Sequence, residues 1–119
     1  MAANILIIDD DILVCDSISN VVRHTGHRPV HANDAKEGLA KIRSETFDVV
    51  FLYVHLPDGP GLDILPSILE KPASPEVIII TGYGDPDGAE LAITEGAWSY
   101  VEKPLSVRDI KLFLTRALQ

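Results

Sequence analysis

The chain has 119 residues, 46% hydrophobic and 24% charged, a composition that predicts one globular domain over residues 1–119 and excludes a disordered segment. Eighteen acidic against ten basic residues give a net charge of −8, which repels phosphate backbones, so we expect no direct binding of nucleic acid. The single cysteine, Cys15, excludes an internal disulfide, and without a membrane-spanning apolar run or a signal-peptide pattern we expect a cytoplasmic protein.

Short apolar runs alternate with segments of helical spacing from one end of the chain to the other. In chain order the pattern predicts strand 4–8, helix 12–24, strand 29–32, helix 34–44, strand 49–53, helix 62–69, strand 77–80, helix 89–95, strand 99–102 and a last helix over 106–118. Continuous apolar strands that alternate with helices are typical of a parallel sheet covered on both faces. We therefore predict a doubly wound α/β domain with five strands.

Several helix ends carry recognisable signals. Gly26 and Gly96 are placed to end helices in a left-handed conformation. Asp34 begins a pattern that resembles a capping box, and Ser106 is a candidate cap for the last helix. Pro66 should start or kink its helix, because it lacks the amide hydrogen that a helix interior requires.

Polar residues follow the strands at the edge where parallel sheets form their sites. Asp9 and Asp10 follow the first strand, Tyr53 ends the third, Thr81 follows the fourth and Lys103 follows the fifth. In open parallel sheets, ligands bind beyond the carboxyl ends of the strands, so we expect these side chains to converge.

The chemistry of this set favours a metal-assisted phosphoryl site. Two adjacent carboxylates are hard oxygen ligands of the kind that Mg²⁺ prefers, and a lysine and a threonine hydroxyl can hold phosphoryl oxygens. For the acids at 9–11 alone, a solvated loop and helix start would be an equally good interpretation. The matching ends of the fourth and fifth strands favour the site.

At these residues the chain resembles the receiver domains of two-component response regulators, over essentially its whole length. The motifs that carry the resemblance are residues 7–11, 51–59, 80–85 and 96–104. The resemblance implies a flavodoxin-like sheet with strand order 2-1-3-4-5. It also implies Mg²⁺ held by Asp9, Asp10 and the backbone carbonyl of His55, with Thr81 as the switch hydroxyl and Lys103 as the phosphate-binding ammonium.

The same resemblance implies a regulatory module rather than an enzyme. Tyr100 would be the aromatic switch residue, and the Lys103-Pro104 bond would be cis. Expected partners are a sensor histidine kinase or phosphotransfer protein, and an output domain or partner protein bound through helix 4, strand 5 and helix 5, where Trp98 also lies. A homodimer is a further arrangement that the family uses. The glycine-rich motifs at 81–85 and 96–100 look most like the receivers of NtrC-type transcription activators.

Tyr53 is the departure from the family pattern, because it stands where receivers carry the aspartate that accepts phosphate. A phenol cannot form an acyl phosphate, is neutral at cell pH and is a poor ligand for Mg²⁺. We therefore predict that phosphorylation at position 53 is lost and that metal binding is weakened.

Three explanations of Tyr53 remain open at this point: an engineered or selected substitution, a degenerate receiver that signals by binding, and direct chemical use of the phenol. We also expect the ring to cover Asp9, Asp10 and Lys103, with its hydroxyl bonded to one of them. The alternative functions are a phosphate-independent interaction scaffold and a flavodoxin-like ligand-binding or phosphatase domain.

Three smaller features of the sequence carry further expectations. The histidines are interpreted as surface or packing residues and Cys15 as a buried filler. The segment around Tyr83 is interpreted either as a switch loop or as a plain turn.

Overall fold

The computed structural model describes residues 2–82 and 86–119 and confirms the alternation of strands and helices. The central strands are β1 (Asn4–Ile8), β2 (Arg28–Ala32), β3 (Val49–Tyr53), β4 (Glu76–Thr81) and β5 (Ser99–Glu102). The helices are α1 (Ile12–His24), α2 (Ala35–Ser44), α3 (Leu65–Leu69), α4 (Pro86–Thr94) and α5 (Val107–Ala117). Within the described ranges, no helix has the length and apolar character that crossing a bilayer requires.

The five strands form one parallel sheet in the order β2-β1-β3-β4-β5, which confirms the predicted topology. β1 lies between β2 and β3, so that Ile7 has His31 on one side and Phe51 on the other. Strand order reverses between β1 and β3, which puts a crevice at their carboxyl ends.

Alternate residues of each buried strand pack on opposite faces of the sheet. Leu6, Leu52 and Ile79 belong to a core on one face, beneath α2 and α3. Ile7 and Phe51 belong to a second core on the other face, beneath α1 and α5. Because both faces are covered, the strands need apolar side chains at every position, which explains the continuous runs in the sequence.

The predicted helix caps are confirmed. The Asp34 carboxylate accepts a hydrogen bond from the Glu37 amide at 2.7 Å, and the Ser106 hydroxyl oxygen accepts one from the Asp109 amide at 3.0 Å. Gly26 and Gly96, with φ of 85° and 109°, follow α1 and α4 in the left-handed region that glycine adopts without strain.

The segment predicted as one helix over 62–69 is divided in the structure. A two-residue hairpin pairs His55–Leu56 with Gly59–Pro60, a 3-10 turn covers Gly61–Ile64, and α3 begins only at Leu65. Pro66 explains the division, because it has no amide hydrogen to donate to the carbonyl of Leu62 and fits only the first turn of an α-helix. The expectation that Pro66 starts its helix is therefore confirmed.

Candidate functional site

The carboxyl ends of β3, β4 and β5 lie side by side, as the sequence predicted. The amide of Val54, just after β3, donates to the carbonyl of Ile80 at 3.1 Å. The amide of Lys103, just after β5, donates to the carbonyl of Thr81 at 2.9 Å. These backbone bonds fix the positions from which Tyr53, Thr81 and Lys103 project.

Asp9 and Lys103 form an ion pair at the centre of this edge. The Lys103 Nζ lies 3.2 Å from Oδ1 and 3.0 Å from Oδ2 of Asp9. The Asp9 side chain is fully buried, whereas that of Lys103 keeps 19% of its surface exposed. Oδ1 also accepts a hydrogen bond from the Asp11 amide at 2.9 Å, so one carboxylate oxygen has two donors.

Tyr53 contributes the face of its ring to the same ammonium. The Lys103 Nζ lies 3.5 Å from the centre of the Tyr53 ring, a cation–π distance. The expected hydrogen bond of the phenol hydroxyl is not found among the described residues. The ammonium can keep its pair with Asp9 while it lies on the negative face of the ring.

Burial governs the electrostatics of the carboxylate. Loss of solvent raises the pKa of Asp9 above its usual value, and the neighbouring charge of Asp10 acts in the same direction. The Asp11 amide and the Lys103 ammonium oppose this shift without cancelling it. The charged form of Asp9 is therefore favoured by specific partners rather than by water.

Cys15 lies directly behind Asp9, as the buried filler that was predicted. Its Sγ donates to the Asp9 carbonyl oxygen at 3.2 Å. Burial, reinforced by the charges of Asp9, Asp11 and Asp16, raises the pKa of the thiol to about 12. The thiol is thus a neutral packing group and not a nucleophile.

The donor set fits a Mg²⁺ ion. Oδ2 of Asp9 is buried and accepts no hydrogen bond from a described residue, although Lys103 is within ion-pair distance. Asp10 beside it is exposed. Mg²⁺ commonly takes one or two carboxylates and keeps several waters, so two acids suffice. Among the described residues, no group of three or more His, Cys, Asp or Glu is arranged to hold a metal.

The other predicted residues differ in burial and in contacts. Thr81 is fully buried, and its hydroxyl lies 3.4 Å from the carbonyl of Val101, a long hydrogen bond. The exposed His55 meets the Tyr53 ring edge-on, with centroids 5.9 Å apart. Tyr100 is 42% exposed on β5. The Lys103-Pro104 bond is cis, as the resemblance implied.

Asp58 is a residue whose structural role the sequence analysis missed. Its carboxylate accepts hydrogen bonds from the amides of Ala35 at 2.8 Å and Lys36 at 3.0 Å, at the start of α2. These two bonds lower the pKa of Asp58. Aspartate is common in turn-rich loops, and nothing in the local sequence signals a hydrogen bond across 23 positions.

Outside the site, Trp98 is both partly exposed and packed against a neighbouring ring. It is 38% exposed and meets the Phe113 ring edge-on, with centroids 6.4 Å apart. His27 accepts a hydrogen bond from the Ala3 amide at 2.9 Å, which is a packing role. Tyr83 lies outside the described residues.

Comparisons with known proteins agree on one family. The response regulator receiver domain matches residues 5–115. The transcriptional regulatory protein ZraR of Klebsiella oxytoca is 34% identical over 115 residues, which are 97% of this chain and 26% of that protein. This chain thus spans about a quarter of the length of that relative.

Solved structures show the same fold. The NtrX protein of Brucella abortus superimposes with a TM-score of 0.92 at 33% identity, over 99% of this chain and 27% of that one. A CheY-like receiver domain protein of Methanospirillum hungatei superimposes with a TM-score of 0.91 at 30% identity, over 99% of this chain and 94% of that one.

Proposed function

Because this chain belongs to the response regulator receiver domain family, we propose that it is the receiver module of a two-component phosphorelay that does not accept phosphate at position 53. Its relatives ZraR and NtrX confirm the resemblance to receivers of NtrC-type regulators. The module is regulatory rather than catalytic, and it controls an output domain or a partner protein.

The observation that carries this proposal is the contact between the Tyr53 ring and the Lys103 ammonium. In a receiver site the nucleophile must present a carboxylate oxygen to the phosphoryl group, with a metal and a lysine to neutralise charge. Here the central position presents a neutral ring that lies against that lysine, 3.5 Å from its Nζ. The site retains its supporting groups without an oxygen nucleophile of the right chemistry.

The supporting residues keep the roles that the resemblance implies. Asp9, Asp10 and the His55 carbonyl would hold Mg²⁺, whose charge would neutralise phosphoryl oxygens when it is bound. Thr81 and Lys103 would contact those oxygens, and Tyr100 would report the state of the site at the surface. Metal binding is weakened because Tyr53 supplies neither a charge nor a ligand.

Protein contact is the output that remains available to such a module. An exposed apolar surface, here called the α4–β5–α5 face, lies on the elements that receivers use for partners, and aromatic anchors favour interfaces. Its members, with exposures from 38% to 50%, are Leu91, Ile93, Trp98, Tyr100 and Leu112. An output domain, a partner protein or a second copy of the chain would bind there, and a histidine kinase or phosphotransfer protein remains the proposed upstream partner.

A phosphate-independent scaffold is the second candidate, and it differs only in having no switch. Flavodoxin-like ligand binding and phosphatase activity are less favoured. The acids at 9–11 repel a phosphate at the end of β1, and β3 ends in a phenol instead of a nucleophilic acid.

Acetyl phosphate with Mg²⁺ tests the proposal directly. Intact-mass spectrometry of the wild-type chain should show no phosphoryl adduct after this treatment, and an adduct mapped to Tyr53 would defeat the proposal. The variant Tyr53→Asp is the matched comparison. If it takes up phosphate, the remaining machinery is intact and an engineered or selected substitution is favoured; if it fails, the site has diverged further, as in a degenerate receiver.

A further inference from the structure

We propose that Lys103 is the resident cation of this site, held between the Asp9 carboxylate and the Tyr53 ring, where it competes with Mg²⁺. This inference rests on the proposed function and adds how the site is regulated. The substitution at position 53 would not merely remove a metal ligand. It would stabilise a competing cation supplied by the protein itself.

The geometry gives Lys103 two simultaneous partners. Its Nζ lies 3.0 and 3.2 Å from the two oxygens of Asp9 and 3.5 Å from the centre of the Tyr53 ring. The acid is fully buried and the lysine side chain is only 19% exposed, so the ion pair is largely shielded from water. Charge–charge and cation–π attractions are both stronger where water is excluded.

The ring acts on the two cations in opposite ways. Its negative face attracts the ammonium, which needs no directional ligand from it. The same face offers no oxygen to Mg²⁺, which requires hard oxygen ligands. Tyr53 therefore stabilises Lys103 at Asp9 and supplies no ligand to the metal. Both effects favour the arrangement in which Lys103, and not Mg²⁺, is paired with Asp9.

Three uncharged side chains at position 53 separate this effect from the loss of the acid. Wild-type Tyr53 and the variant Tyr53→Phe both present a ring, whereas Tyr53→Leu has none and keeps the same charge. Mg²⁺ is titrated into each protein, and binding is followed from the amide NMR signals of Asp9, Asp10 and Asp11. Circular dichroism confirms that the three proteins are folded.

Wild type and Tyr53→Phe should bind Mg²⁺ with the same affinity within about twofold, and Tyr53→Leu should bind it roughly tenfold more tightly, the effect expected of one partly desolvated cation–π contact. Equal affinities in all three proteins would overturn the inference, and so would a Tyr53→Leu variant that binds no Mg²⁺. A Tyr53→Phe variant that behaves like Tyr53→Leu would assign the effect to the hydroxyl instead.

The NMR signals of the Lys103 methylene groups provide a second readout that needs no metal. The ring current should shift them upfield in wild type and Tyr53→Phe but not in Tyr53→Leu, and normal shifts in wild type would contradict the contact. Different results would contradict the proposed function and the competition between Lys103 and Mg²⁺. Phosphoryl uptake on Tyr53 would defeat the proposed function, whereas equal Mg²⁺ affinities would defeat only the competition by Lys103.

Discussion

The ammonium of Lys103 lies 3.0 Å from Oδ2 of Asp9, although 94 residues separate the two in the chain. The pair joins the ends of β1 and β5 across the carboxyl edge of the sheet. Because the acid is fully buried and the lysine is not, the two partners are not equivalent, and removing one or the other should have different costs.

Replacing Lys103 by Met should destabilise the fold by about 3 kcal/mol at pH 7, because it leaves a buried carboxylate without its cation. Urea unfolding measures the loss. The double variant Asp9→Asn/Lys103→Met should recover most of that stability, which a double-mutant cycle quantifies. Additive effects of the two substitutions would show that the pair is not coupled in solution.

Asp9→Asn should change how stability depends on pH. The pKa of Asp9 in the fold is raised above 3.8, so the folded state holds its proton more tightly than the unfolded state. Protonation of Asp9 therefore stabilises the fold below pH 3.8, and this stabilisation is lost as the pH rises through the pKa of the folded state. The free energy of unfolding of Asp9→Asn, minus that of wild type, should therefore increase with pH across this window and then level off. A difference that stays constant between pH 4 and pH 8 would contradict the raised pKa.

Asp58→Asn should loosen the attachment of the hairpin loop to α2. The amide oxygen of asparagine is uncharged and cannot accept both backbone bonds as strongly as the carboxylate does. Since these bonds lower the pKa of Asp58, its contribution is present above the unfolded pKa and lost as pH falls through the folded one. The variant should thus be less stable than wild type at pH 7. The difference between their free energies of unfolding should become smaller in acid. Asp63→Asn makes an equal charge change in the neighbouring 3-10 turn and is the matched control for the lost charge at pH 7.

Gly61→Ala tests the close approach of the loop to the end of β3. A Cβ at Gly61 would collide with the carbonyl oxygen of Tyr53, a backbone atom that cannot move aside alone. The loss should be about 1–3 kcal/mol, as for other overpacked sites. Gly82→Ala is the matched control, since a Cβ there meets nothing within 4 Å, and it should change stability by less than about 0.5 kcal/mol. Equal effects of the two substitutions would argue against the predicted collision.

Cys15 should be almost inert while the domain is folded. At pH 8 a thiol with the pKa of about 12 is ionised roughly a thousandfold less than one with the ordinary value of 9.0, and the thiolate is the reactive form. Reaction with Ellman's reagent should therefore be slower by at least that factor in the native protein than in urea. Comparable rates in the two states would mean that the thiol is accessible.

The strands were predictable because both faces of the sheet are buried, whereas their order was expected from the family resemblance alone. Residues 5–8 and 49–52 are apolar throughout, and the observed bounds of their strands, 4–8 and 49–53, agree with the predicted ones. Helix ends were less certain. α4 begins at Pro86 rather than at residue 89, since a proline suits the first turn of a helix and the apolar pattern begins only later.

Contacts between distant side chains were only partly predictable. The convergence of Asp9, Tyr53, Thr81 and Lys103 follows from topology, because parallel strands end on one edge. Topology does not predict that Lys103 contacts the face of the Tyr53 ring instead of its hydroxyl. That contact depends on ångström-scale geometry and on desolvation. The bonds from Asp58 to α2 also required the three-dimensional path of the hairpin, whose two-residue arms are too short to leave a periodic signal.

The position of β1 between β2 and β3 has a consequence for synthesis on the ribosome. The segment Ile5–Ile8 is completely buried in the finished domain, and the residues that pair with it on the β3 side are Val49–Leu52. β1 is synthesised long before β3. The nascent polypeptide therefore carries an apolar strand that lacks its β3 partner until nearly half of the domain has emerged. Ribosome-associated chaperones would have their clearest target there.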